Sequence, residues 1–173
     1  GLAMTPGNKR NIALWGFMGT GKSTAGRLVA ARLGLAFVDT DAVIEARAGR
    51  TIADIFAQEG EPAFRALEAA ICQEVAAGRE QVIAAGGGAL LDPAVHDALA
   101  ASSLLVNLTC DLDEILRRVG DDPARPLFAG ERARLARLLA DRAAHYARVP
   151  HQIDTTHLAP HDVAEEIIRL WQS

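Results

Sequence analysis

Apolar residues fall along this chain in two alternating rhythms: short, mostly apolar runs, and longer stretches in which they return every three or four positions. Residues 12–15, 35–38, 81–85 and 104–108 form the runs. They are too short for core helices, and the first three end at glycine or aspartate, which predicts strands; runs without polar alternation fit parallel strands covered on both faces. Between them, Ala25, Leu28, Val29 and Leu33, then Phe64, Leu67, Ile71 and Val75, then Leu112, Ile115, Leu116 and Val119 each trace one helical face. Two short helices parted near Gly49 are expected over 41–58, and Gly60 separates them from the helix over 61–77. Further helices are expected over 93–100 and 131–146, a short fifth strand over 152–154, and a closing amphipathic helix carrying Val163, Ile167, Leu170 and Trp171. The stretch 120–130, opened by Asp121 and Asp122 and rich in glycine, proline and arginine, reads as a mobile loop.

Strands that alternate with helices require right-handed crossovers. The expected architecture is an α/β fold: a five-stranded parallel sheet flanked by helices on both faces. Ligands of such sheets sit at the carboxyl ends of the strands. Three suspicious groups fall there: a glycine-rich loop after the first strand, Asp39 and Asp41 after the second, and Gly86-Gly87-Gly88 after the third.

Composition narrows the classes. A chain of 173 residues that is 50% hydrophobic suits one domain with a real core. A net charge of −4 argues against a general nucleic-acid binder, so any anion site must be local. Cys72 and Cys110 are too few for a disulfide framework or zinc cluster, and no apolar run approaches membrane-spanning length. A cytoplasmic protein with no nucleic-acid or membrane partner, and a monomer, is expected. The domain is read as 4–173, with residues 1–3 before Met4 taken as a cloning remnant. The five histidines form no metal-ligand spacing.

Gly16-Phe17-Met18-Gly19-Thr20-Gly21-Lys22-Ser23 satisfies G-x-x-x-x-G-K-[ST] between a predicted strand and a predicted helix. Glycines let successive amides converge on phosphate oxygens at a helix N-terminus, where the partial charge is positive. Gly19, Thr20, Gly21, Lys22, Ser23 and Thr24 are thus candidate ATP-binding residues. Lys22 would reach the β- and γ-phosphates, and Ser23 would offer its hydroxyl to Mg²⁺. No guanine-reading motif follows the loop, which favours an adenine nucleotide.

A phosphate loop alone does not define a kinase, so the second substrate must be sought elsewhere. Asp39 is a candidate for holding Mg²⁺ through water, and Asp41 for orienting an acceptor hydroxyl and taking its proton; a helix N-cap is the plain alternative for Asp41. Arg65 has Glu61 and Glu68 at helical spacing, so a solvated ion pair is its plain reading. Arg142 continues an inward stripe of Leu135, Leu138 and Leu139 towards Tyr146, where a guanidinium needs an anion: a substrate carboxylate, or a partner in a buried pair. The glycine triplet offers close approach to a ligand, or merely a turn. Arg118 and Arg125 flank the 120–130 loop. A loop arginine closing over the γ-phosphate would neutralise charge, whereas the bland reading of each is a surface charge, favoured for Arg118 taken alone.

Taken in order, the segment 16–24, Asp39-Thr40-Asp41, Thr51-Ile52-Ala53-Asp54-Ile55-Phe56, Gly60-Glu61 leading to Phe64-Arg65 and Glu68, the glycine triplet, Arg125-Pro126-Leu127, and Arg142 four residues before Tyr146 resemble the shikimate kinase family. The resemblance spans nearly the whole chain from Ile12. It implies a P-loop kinase fold like that of nucleoside monophosphate kinases, with an acceptor-binding region at about 41–77 and a lid at about 120–130. It also implies transfer of the ATP γ-phosphoryl group to the 3-hydroxyl of shikimate in aromatic amino-acid biosynthesis. By motif position, Asp41, Arg65, Gly87, Gly88 and Arg142 resemble the shikimate-binding set, with Arg65 and Arg142 on the carboxylate. Lys22, Asp41 and Arg125 would be catalytic, Arg118 and Pro160 would line the adenine pocket, and Ser23 and Asp39 match the magnesium positions. Where the family usually reads Arg-x-Pro-Leu-Tyr, this chain reads Arg142-Ala143-Ala144-His145-Tyr146, which should leave that helix straighter. Two other readings are a gluconate kinase of the same fold and a non-catalytic ATP-binding switch module.

Overall fold

The computed structural model describes residues 9–120 and 130–173. Strands β1 (Asn11–Gly16), β2 (Ala36–Asp39), β3 (Gln81–Ala84), β4 (Ser103–Thr109) and β5 (His151–Asp154) form one sheet in the order β2-β3-β1-β4-β5, and every neighbouring pair is parallel. The helices are α1 (Lys22–Leu33), α2 (Thr40–Ala48), α3 (Ile52–Glu59), α4 (Glu61–Ala76), α5 (Pro93–Ser102), α6 (Leu112–Gly120), α7 (Glu131–Ala147) and α8 (Pro160–Gln172). The predicted elements are therefore present, with ends shifted by one or two residues. Among the described residues, a 3-10 turn at Ala89–Leu91, after the glycine triplet, is the one addition.

Pleating divides the core. On β1, Ile12 and Leu14 face a layer completed by Ala25 and Val29 of α1 and by Val163, Ile167 and Trp171 of α8. Ala13 and Trp15 point to the other face, where Ile83, Leu99, Ile115, Leu135 and Tyr146 close over them. Because β1 lies in the middle of the order, both its faces are buried, and its six residues are all inaccessible. A smaller cluster of Ile44, Ile55, Phe64 and Ile71 joins α2, α3 and α4 into an outlying unit beside the sheet.

β2 departs from the expectation of a strand covered on both faces. It is the sheet edge, Ala36 is exposed, and the other three residues are only half-buried. Its apolar run is explained by one-sided packing: Phe37 lies against Gly26 of α1, under the guanidinium of Arg27 at 4.5 Å from the ring centroid. None of the described helices is long and apolar enough to cross a membrane.

Candidate active site

The glycine-rich loop leaves β1 and re-enters the fold as α1. A Cβ on Gly16 would stand 2.5 Å from the Leu108 carbonyl oxygen, so only glycine fits where this loop departs between neighbouring strands. Thr20 is buried, and its hydroxyl donates to the Phe17 carbonyl at 2.8 Å, closing the loop on itself. Gly21 caps α1 in a left-handed conformation with φ 86° and no side-chain cap, which leaves the first amides of the helix open to an anion. Ser23 and Thr24 stand exposed on that first turn.

The ammonium of Lys22 donates to two carbonyls, Gly16 at 2.9 Å and Ala85 at 3.1 Å. Burial strips its water and lowers its pKa to about 8, although Asp41 and then Asp39 act to raise it; Arg142 adds a further lowering. Lys22 is a cation short of negative charge, placed where phosphates would supply it. Its second partner, Ala85, immediately precedes the glycine triplet. The phosphate loop and the end of β3 thus meet at one side chain.

Beside the loop lies a cavity of about 250 Å³ whose lining includes Thr20, Gly21, Thr24, Arg118, Leu158 and Pro160. Arg118 is not the solvated charge that its sequence alone favours. Its guanidinium donates to Gly19 O at 3.0 Å, to Thr155 Oγ1 at 3.2 Å and to Thr155 O at 2.7 Å, stitching α6 to the loop and to the segment after β5. Pro160 opens α8 at the cavity's far side.

On the opposite side of Lys22, charged side chains from three separate segments converge on the glycine triplet. Asp39 is the N-cap of α2, its Oδ1 accepting from the N–H groups of Asp41 at 3.0 Å and Ala42 at 3.4 Å. Asp39, not Asp41, therefore takes the capping role, and Asp41 sits in the first turn with its carboxylate unspent on the cap. Burial first, then the neighbouring Asp39, push the Asp41 carboxyl above the usual range, while Lys22 and Arg65 pull it back. A Cβ on Gly86 would collide with Asp41 Oδ1, and one on Gly88 would stand 2.7 Å from Arg65 Nη2, so the triplet is glycine because two charged groups occupy that space. Arg142 Nη1 donates to Gly87 O at 3.2 Å. Its helix, α7, runs unbroken from Glu131 to Ala147, consistent with the absence of a proline before Tyr146.

Arg65 is held by more than a solvated ion pair. Glu61 approaches Nε at 3.6 Å from the solvent side, but Glu68 is 3% exposed and accepts from Arg65 Nη1 at 2.7 Å. Burial raises the Glu68 carboxyl pKa and the Arg65 hydrogen bond opposes that rise. Glu68 was legible in sequence only as a partner three residues from Arg65; its burial was not. Thr40, present in the sequence only as the middle of Asp39-Thr40-Asp41, has a structural part: its buried hydroxyl accepts from the Gly86 N–H at 2.9 Å and ties the start of α2 to the triplet. Arg125 lies outside the described residues. Gly19, Thr20, Gly21, Ser23 and Thr24 lie together on the loop and first turn of α1, Asp41, Arg65, Gly87, Gly88 and Arg142 gather at the triplet, and the Lys22 side chain joins the two by donating to Gly16 O and Ala85 O.

A family model described as shikimate kinase matches residues 18–172. A shikimate kinase of Geobacter metallireducens is 42% identical over 164 residues, covering 94% of this chain and 92% of that protein. One of Symbiobacterium thermophilum is 44% identical over 167 residues, covering 94% and 96%. Among solved structures, shikimate kinase from Acinetobacter baumannii in complex with shikimate superposes with a TM-score of 0.86 at 36% identity, covering 94% of this chain and 92% of that one. A gluconokinase from Sinorhizobium meliloti, at 18% identity and a TM-score of 0.57, shares the fold alone.

Proposed function

The chain belongs to the shikimate kinase family and is an ATP-dependent phosphotransferase acting on a hydroxyl of shikimate; from that premise we propose how its own residues divide the reaction. The product pair is shikimate 3-phosphate and ADP, within aromatic amino-acid biosynthesis. The loop amides around Gly19, Thr20 and Gly21, with Ser23 and Thr24, hold the triphosphate, and its adenine end lies in the cavity lined by Arg118 and Pro160. Lys22 neutralises charge on the β- and γ-phosphates. Arg65 and Arg142 grip the acceptor's carboxylate, each as a planar fork of donors, and Gly87 and Gly88 let the acceptor approach closely.

Transfer is in line. The acceptor oxygen bonds to the γ-phosphorus as the bond from that phosphorus to the β–γ bridging oxygen breaks, the acceptor's proton passes to the Asp41 carboxylate, and ADP leaves. The raised Asp41 pKa suits a group that must take a proton without holding it too weakly. Arg125, which lies outside the described residues, is the remaining catalytic candidate and would neutralise charge on the γ-phosphate.

The residues fit a magnesium ion. Among the described residues no three His, Cys, Asp or Glu side chains form a metal cage. Ser23 is exposed at the helix start, and Asp39 spends only Oδ1 on its cap. These two would hold Mg²⁺, whose chemistry is to offset charge on the β- and γ-oxygens. The protein is read as one catalytic domain over 4–173 and as a cytoplasmic monomer; its two free cysteines, both buried, support a reducing compartment.

One observation carries this reading: Lys22 is bonded to the carbonyl just before the acceptor-side glycines while Asp41 and Arg142 both act on its charge. ADP release with shikimate, with gluconate and with no acceptor tests it. Release only with shikimate is expected. Equal release without acceptor would favour the switch module, and release with gluconate alone the other kinase.

A further inference from the structure

The indole of Trp15 is fully buried, and its N–H lies within hydrogen-bonding reach of two carbonyl oxygens, Gly86 at 3.1 Å and Gly87 at 3.0 Å. No role above uses it. The end of a central parallel strand needs only apolar volume, which leucine or isoleucine supplies without burying a donor that must then find an acceptor. Here the donor is directed at main-chain oxygens of the turn that faces the acceptor. The ladder between β1 and β3 ends at the Ala85 N–H to Leu14 O bond of 2.9 Å; beyond it the Trp15 N–H reaches from β1 to that turn, whose Gly86 oxygen also accepts from the Ala89 N–H at 3.0 Å while Gly87 O has no such main-chain partner among the bonds of the described residues.

The Gly87 oxygen is shared. It accepts from Trp15 Nε1 and, at 3.2 Å, from Arg142 Nη1. The two donors are coupled a second way, because the Trp15 ring lies against Tyr146, one turn along α7 from Arg142, with centroids 4.6 Å apart and planes tilted by 56°. The residue after Trp15 is Gly16, whose carbonyl holds Lys22. One strand end therefore anchors the phosphate loop through Gly16 and the acceptor turn through Trp15.

We propose that Trp15 is a positioning residue for the acceptor: by fixing the Gly87 carbonyl that it shares with Arg142 it sets the aim of Arg142 at the substrate carboxylate and makes the acceptor turn move as one with the phosphate-loop strand. The inference rests on the carboxylate role given to Arg142 above. W15F keeps an aromatic ring against Tyr146 and removes both hydrogen bonds. It should raise the KM for shikimate about tenfold while the KM for ATP and kcat stay within about twofold. In an R142A background, W15F should add less than about twofold, because its effect runs through Arg142. A tryptophan that only fills the core would instead act equally in both backgrounds and lower the melting temperature without separating the two KM values.

The wild-type chain supplies a second readout. It has two tryptophans, and W171F assigns their indole N–H resonances in a ¹⁵N spectrum. Saturating shikimate should shift the Trp15 indole signal and leave that of Trp171 in place. Absence of shikimate-dependent ADP release in the wild type would bring down the proposed function and this inference together. Wild-type release combined with an unmoved Trp15 signal, or with an unchanged shikimate KM in W15F, overturns the Trp15 role alone.

Discussion

The two halves of the site are made of different material. The phosphate side is mostly main chain: open amides at the start of α1, a left-handed Gly21, and a threonine hydroxyl used internally, all within residues 16–24. The proposed acceptor side is mostly side chain, with Asp41 from α2, Arg65 and Glu68 from α4, and Arg142 from α7, gathered over three glycines that leave room for them. A phosphate cradle can be local because every residue carries an N–H. Recognition of a carboxylate beside a hydroxyl needs particular charges at fixed angles, and distant segments must supply them. Substitutions should therefore fail differently on the two sides, and Lys22 is the place where they cannot be told apart.

The largest effect is expected at that shared point. Lys22→Met should lower kcat by roughly 10³-fold or more, since it removes the charge proposed to face the transferred phosphate. A pKa lowered by burial means the charged ammonium costs the free fold more than its partners return. The melting temperature of the nucleotide-free variant should accordingly hold or rise. A variant that is inactive because it is unfolded would count against the assignment.

Asp41→Asn should cost kcat about 10²- to 10³-fold with ATP affinity preserved in equilibrium titration. Because the Asp41 carboxyl is raised, the wild type should lose activity on acidification above the ordinary carboxylate range, as the base becomes protonated. That acid limb should be missing from the residual activity of the variant. Weakened ATP binding in Asp41→Asn would blur the division between the halves.

Gly88→Ala tests the acceptor side by volume alone. Its new Cβ would press on the Arg65 guanidinium, the far end of a flexible chain, so the fold should lose no more than about 1 kcal/mol. The displaced guanidinium should raise the shikimate KM about tenfold and leave the ATP KM unchanged. Gly87→Ala, whose Cβ would meet Arg142 Nη1 only at 3.5 Å, is the milder control.

The smallest effect is a pH dependence confined to the phosphate side. With the free Lys22 pKa near 8, the charged form prevails below that pH, and a triphosphate must restore the proton above it. ATP affinity should fall as pH rises through about 8, by no more than tenfold per unit. Calorimetry in buffers of different ionisation enthalpy should show proton uptake on binding near pH 8, and Lys22→Met should abolish it.

Sequence alone carried the element order, the parallel α/β sheet and the phosphate loop, because each depends on period or on spacing within a few positions of the chain; the acceptor residues, scattered from Asp41 to Arg142, were assigned as a set only through the family resemblance. Tertiary structure decided the rest. Which of Asp39 and Asp41 caps α2, that β2 is an edge, that Glu68 is buried behind Arg65, and that Arg118 is spent on Gly19 and Thr155 all followed only from packing. Trp15 shows the boundary most plainly. Its partners lie 71 and 72 positions away in the chain, and an indole N–H acquires a role only when the fold brings a carbonyl within 3 Å or so of it.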